Sequence, residues 1–126
     1  METQYLTIED AFEIHNAQVA RFGGASGVRD AGLIEAALLR PQTGYYTDLI
    51  EEAAALWESL TMNPGFVDGN KRLGFACTYV FLRLNEVVLT AAPDEVEAFI
   101  LGSLETGTFT KDNLDAWLRA NTQPRS

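Results

Sequence analysis

Apolar residues recur at helical spacing along most of this chain, and the caps and breakers between them divide it into six segments. Thr7 can cap a helix running to about Ala20, with Asp10 at the capping-box position and Ile8, Ala11 and Phe12 toward a core. Asp30 can cap a second, carrying Leu33, Ala36, Ala37 and Leu38 before Pro41 stops it. A third runs from about Leu49 to Met62, with Ala53, Leu56, Trp57 and Leu60 on one stripe. The fourth, Asn70 to about Asn85, is apolar nearly all round. Leu73, Ala76, Cys77, Val80, Phe81 and Leu84 form one face and Phe75, Tyr79 and Leu82 another, which suits the centre of a bundle. Pro93 opens a fifth helix through about Leu104, and Thr110 caps a sixth that carries Leu114, Trp117 and Leu118. Residues 121–126 read as a frayed tail. The expectation is an all-α fold, a compact bundle of about six helices around a central apolar helix, in a single domain spanning residues 1–126.

Composition narrows the setting. At 126 residues and 47% hydrophobic, the chain suits one core. No apolar run is long enough to cross a bilayer and Met1-Glu2-Thr3 is unlike a secretory leader, so a cytoplasmic protein with no membrane partner is expected. Cys77 is the single cysteine; it sits in the most apolar helix and reads as buried filler, with no disulfide or metal cluster available. A net charge of −9 without a basic stripe argues against direct nucleic-acid binding, and a negative surface fits a protein partner with basic patches.

Against that acidic background, Lys71-Arg72 is the only adjacent basic pair. Asp68-Gly69-Asn70 is turn chemistry, so Asn70, Lys71 and Arg72 fall at the start of the fourth helix, where backbone N–H groups lack partners. Two cations at the positive end of a helix dipole oppose it by about 0.3–1 kcal/mol each when exposed, so the arrangement makes sense if an anion sits between them. Asp68 adds a hard oxygen ligand suited to a magnesium ion carried by nucleotide phosphates. Together these residues form a phosphoryl-binding constellation. On spacing alone, an ordinary loop followed by a solvated Lys-Arg pair is the competing reading.

Resemblance separates the two. The run Asn63-Pro64-Gly65-Phe66-Val67-Asp68-Gly69-Asn70-Lys71-Arg72 resembles the Fic/Doc signature His-x-Phe-x-Asp/Glu-Gly-Asn-Lys/Gly-Arg everywhere but its first position. Ile14-His15, Arg21-Phe22-Gly23-Gly24, Gly27-Val28-Arg29-Asp30 and the stretch from Gly32 to Leu38 followed by Arg40-Pro41-Gln42 resemble the N-terminal half of the Doc subgroup, the toxins of toxin–antitoxin pairs. The similarity runs from about Leu6 to about Leu118.

Pro64 stands where the family has its histidine. In the family that imidazole takes the proton from a target hydroxyl attacking a nucleotide phosphate, and proline has no ionisable side-chain nitrogen with which to do so. The resemblance implies a toxin whose intact form phosphorylates a protein hydroxyl from ATP with magnesium, the target being translation elongation factor Tu, so that translation stops. It also implies an antitoxin partner whose disordered C-terminal segment folds into a groove of the toxin. Lys71 favours phosphate transfer over the AMP transfer of Fic proteins, which generally carry glycine there. By the same resemblance Asp68 orients the metal, Gly69 and Asn70 hold the loop and phosphate, Lys71 and Arg72 neutralise developing charge, and Phe66 anchors the loop. Two alternatives stand beside this: an AMP transferase, and a non-catalytic module that keeps antitoxin or nucleotide affinity.

Three further features complete the reading. His15, the only histidine, lies far in sequence from the motif and reads as structural or surface rather than as a replacement base. Gly23-Gly24-Ala25-Ser26-Gly27 follows a helix and lacks the Lys-Ser/Thr of a phosphate-binding P-loop, so an ordinary interhelix loop is expected. Gly44-Tyr45-Tyr46 is either a target-docking flap or a loop covering the core.

Overall fold

A computed structural model describes residues 2–125. Six helices carry the fold: α1 (Ile8–Phe22), α2 (Ala31–Leu39), α3 (Leu49–Met62), α4 (Asn70–Leu84), α5 (Pro93–Glu105) and α6 (Lys111–Ala120), with a 3₁₀ turn over Arg40–Gln42. The sequence signals act where they were read. The Thr7 hydroxyl and the Asp10 carboxylate complete a capping box on α1, Asp30 caps α2 through the Leu33 N–H, and Thr110 caps α6 through the Asn113 N–H. The first helix runs one half-turn beyond Ala20, to Phe22, which brings two more residues to its C-terminal end.

The core gathers on α3 and α4. Trp57 is fully buried amid Phe75, Phe99, Phe109 and Trp117, while Leu73, Cys77 and Phe81 supply the α4 side. Burial pushes the Cys77 thiol up to about 12, so it stays protonated, as a core filler should. The two helices approach closely at Gly74, where a Cβ would lie 2.3 Å from Thr61 Oγ1. Only a glycine lets the backbones meet there. α4 shares the centre with α3, which also packs against α2 and α6, and it leaves Tyr79 and Leu84 exposed.

One expectation is overturned. Residues 122–124 are not frayed: Thr122–Pro124 forms β2, antiparallel to β1 (Val87–Leu89), with Val88 opposite Gln123. The reason is a tight turn after α4, in which Glu86 takes φ 65°, that sends the β-branched Val87-Val88 back as a strand whose free edge the tail pairs. The Arg125 N–H extends the ladder to the Glu86 carbonyl at 2.8 Å; Ser126 lies outside the described residues. This small ribbon leaves the all-α class intact. No helix among the described residues is long and apolar enough to cross a membrane.

Candidate active site

The loop from α3 to α4 carries the motif and is held on three sides. Asn63 leaves the helical region (φ −121°, ψ 79°) and ends α3 at Met62, as the proline after it demands. Half-buried Pro64 follows. The Gly65 carbonyl then accepts from the Arg29 and Asp30 N–H groups at 2.8 and 2.9 Å, and the Val67 N–H donates to the Gly27 carbonyl at 3.1 Å, so a short antiparallel bridge pairs Val28 with Phe66. Phe66 is buried and points inward as an anchor, stacked on the His15 ring (centroids 3.9 Å apart, planes 14°) and edge-on to Phe12.

Asn70 locks the loop from inside. Its side-chain oxygen accepts from the Phe66 N–H at 3.1 Å and its amide nitrogen donates to the Phe66 carbonyl at 3.0 Å. With its oxygen and one amide hydrogen engaged on Phe66, Asn70 has its backbone N–H and the second hydrogen of its side-chain amide left for an anion. Asn70→Ala should strand both backbone groups of Phe66 and lower stability by about 1–3 kcal/mol in urea unfolding; a loss below about 0.5 kcal/mol would contradict this role.

The start of α4 lacks what most other helices here have. Gly69, at φ 77° a conformation suited to glycine, is the N-cap and provides no side-chain acceptor, and the first turn holds no acidic residue. The N–H groups of Asn70, Lys71 and Arg72 find no acceptor among the described residues. Lys71 and Arg72 are exposed at the same end and make no ion pair within those residues; the Arg72 guanidinium instead lies 4.5 Å from the centroid of the exposed Phe22 ring. Asp68 is exposed beside them, its carboxylate accepting from the Gly69 N–H at 2.8 Å and, through the other oxygen, from the Ala25 N–H at 3.3 Å. A cavity of about 240 Å³ opens between the end of α1 and the start of α4, lined by His15, Gln18, Phe22, Asp68, Gly69 and Arg72 among others. The start of α4, the Arg72 cation and the Asp68 carboxylate meet at its edge, with Lys71 next in the chain.

The Fic/DOC family profile matches residues 5–82, more than half of the chain and every residue just placed at the cavity and its loop. The chain belongs to the Fic/DOC family. It is 46% identical over 94 residues to a protein named Toxin Doc from Mycolicibacterium smegmatis, covering 71% of this chain and 70% of that one. It is also 30% identical over 95 residues to one named Protein kinase doc from Escherichia phage P1, covering 72% and 75%. Doc-type membership is thereby shown.

Within this Doc-type fold, the motif residues Asp68, Gly69 and Arg72 line the cavity, Phe66 and Asn70 lock the loop behind them, and Lys71 is exposed in the first turn of α4. Others were not foreseen. The loop 23–27, read as an ordinary connection, is part of the site: the Ala25 N–H reaches Asp68, and a Cβ on Gly24 would lie 2.8 Å from Asp68 Oδ2. Gln18 and Phe22 line the cavity, and the Gln18 side-chain oxygen is buried without a partner among the described residues. His15 is buried, as a structural residue should be, and stands directly against the motif despite its distance in sequence. Its Nε2 lies 2.8 Å from the Asp68 carbonyl, which removes that nitrogen as a substitute base.

The tyrosine loop divides its two residues. Tyr46 accepts from Arg40 Nε at 2.7 Å and lies beneath the Arg40 and Lys111 cations, whereas Tyr45 is 83% exposed. Arg40 is tied to Glu58 and Lys111 to Glu51, and the Lys111 ammonium, hydrogen-bonded at 2.6 Å, holds the Glu51 carboxyl down at about 2. The loop is therefore pinned at one tyrosine and presents the other.

Proposed function

We propose that this chain is the toxin of a toxin–antitoxin pair whose site is built for moving phosphate from ATP to a protein hydroxyl, and that Pro64 has removed its base. The observation that carries the reading is the juxtaposition of Asp68, the uncapped start of α4, Lys71 and Arg72 on a loop that begins with proline where the family places histidine. Developing negative charge on a transferred phosphoryl group is stabilised by positive groups close at hand, which the partnerless N–H groups of α4 and the neighbouring Lys71 and Arg72 would supply. The relatives' names, Toxin Doc and Protein kinase doc, support both halves of the proposal.

A magnesium ion fits the residues present. No three His, Cys, Asp or Glu side chains cluster among the described residues, so an all-protein metal cage is not on offer. Asp68, however, uses only one acceptor site on each oxygen for backbone N–H groups, which leaves lone pairs for a magnesium ion that arrives with nucleotide phosphates and keeps its remaining ligands as water. Asp68 would hold the metal, the α4 N–H groups and Lys71 the phosphates, and Arg72 would leave the Phe22 ring to reach them. Elongation factor Tu is the proposed target and a cytoplasmic antitoxin with a disordered C-terminal segment the proposed partner; the exposure of Tyr45 supports a docking role for its loop.

The Pro64→Gly change would not restore a base, so the test uses Pro64→His. Incubated with purified elongation factor Tu, this variant should transfer label from the γ-phosphate of ATP and none from the α-phosphate. Transfer of α-label would overturn phosphate transfer in favour of AMP transfer. A second reading, a binding module without transfer, is favoured by Pro64 itself; it requires that the histidine variant, though folded and nucleotide-bound, transfer neither label to any protein of a cell extract.

A further inference from the structure

We infer that His15 is a positioning residue for the Asp68 carboxylate, acting through the peptide group that joins Asp68 to Gly69. The inference rests on the nucleotide and magnesium reading of the site.

The geometry starts from a carbonyl. His15 Nε2 lies 2.8 Å from the Asp68 backbone oxygen, and a carbonyl only accepts, so Nε2 must carry the hydrogen. The peptide beyond that carbonyl is planar and trans, which points its N–H the opposite way. That N–H, on Gly69, donates to Asp68 Oδ1 at 2.8 Å. One rigid plane therefore carries the imidazole's hold on one edge and the carboxylate's on the other.

Such a plane needs holding. Turning it over changes ψ of Asp68 and φ of Gly69, and glycine tolerates both signs of φ, so the sequence itself sets little barrier to the flipped loop. In the flipped loop the Gly69 N–H would leave Oδ1 and the Asp68 carbonyl would turn toward the start of α4, replacing a donor with an acceptor beside the anion site. His15 selects against this. The imidazole is itself fixed: it is 1% exposed, stacked on Phe66, and placed on α1 three residues after Phe12, which meets the same Phe66 ring edge-on. The second oxygen of Asp68 is set separately by the Ala25 N–H, so both lone-pair directions left to a cation are defined by protein donors. Partners of this kind, one shell out from a metal ligand, typically change metal affinity by about 10–100-fold when removed.

The test compares ATP affinity with and without magnesium by calorimetry, in the chain as it stands and in His15→Leu and His15→Gln. The quantity read is the tightening that magnesium confers. Leucine keeps apolar packing and loses the donor; glutamine keeps an N–H at about the reach of Nε2. The expected result is a tightening reduced about tenfold or more in His15→Leu and within about threefold of the parent in His15→Gln, with magnesium-free affinity little changed in both. A folded His15→Leu that keeps the full tightening, or equal losses in both variants, would overturn the inference, because a purely structural role would not separate the donor from the packing. Should the leucine variant not fold, the unmodified protein decides: its single histidine gives one side-chain nitrogen pattern by NMR, expected to be the Nε2–H tautomer, and an Nδ1–H tautomer would sink the idea. A parent chain that shows no magnesium-dependent tightening fails at the first titration, and that result overturns the nucleotide reading together with the role of His15.

Discussion

Replacing Pro64 by histidine is expected to raise phosphate transfer from background by about 10²–10⁴-fold, the range a positioned general base contributes. Proline at that position is chemically silent, whereas an imidazole near its ordinary pKa of about 6.5 is largely unprotonated at neutral pH and able to take the hydroxyl proton. The loop can accept the change. α3 has already ended at Met62, Asn63 is outside the helical region, and Pro64 is only half-buried and makes no part of the core cluster. Transfer by the variant should rise with pH as the imidazole loses its proton and level off above neutrality. A flat pH profile would point to a base elsewhere, and a folded variant without any gain would contradict the assignment of Pro64 as the missing step.

Gly65→Ala should be the most damaging single-atom addition to the loop. A Cβ there would sit 2.4 Å from Ile34 Cγ1 and 3.0 Å from the Asp30 carbonyl oxygen. Ile34 is buried and β-branched, and the carbonyl belongs to the residue that caps α2, so neither neighbour moves cheaply. Overpacking of this kind costs about 1–3 kcal/mol, and relief by moving the loop would break the bonds from Arg29 and Asp30 to the Gly65 carbonyl. The expected result is a loss of that size in urea unfolding together with weakened ATP binding. Gly102→Ala on α5, where nothing lies within 4 Å of the new methyl, is the control and should be neutral or stabilising by up to about 1 kcal/mol. Equal behaviour of the two variants would show that the motif loop is not braced as described.

What could be read from the sequence was local. The stripe Ala53, Leu56, Trp57 and Leu60 and the caps at Thr7, Asp30 and Thr110 decide helices from neighbours within a turn or two, and all of them form. The motif was legible for the same reason: Asp68 through Arg72 are contiguous, and a turn followed by an apolar helix places them. What escaped depends on residues brought together from far apart. The β1 and β2 strands are three residues each, too short for any periodicity, and exist only because the tail meets the edge left by Val87 and Val88. The loop 23–27 matters because Asp68, more than forty residues later, leans on it, and His15 matters for the same reason. A signal was available for both: Ile14-His15 and Arg21-Phe22-Gly23-Gly24 lie inside the stretch that resembles the Doc subgroup, outside its catalytic signature. Residues shared away from a signature are candidates for contact with it.

The central claim is that the anion site is intact although the base is absent, and titration of ATP with magnesium into the unmodified chain tests it most directly, beside Pro64→His and Lys71→Ala. The account predicts binding by the unmodified chain with an affinity within about threefold of the histidine variant, and binding weakened about tenfold or more by loss of Lys71. Failure of the folded, unmodified chain to bind ATP while the histidine variant does would contradict it, because position 64 would then belong to nucleotide binding and not to proton transfer alone.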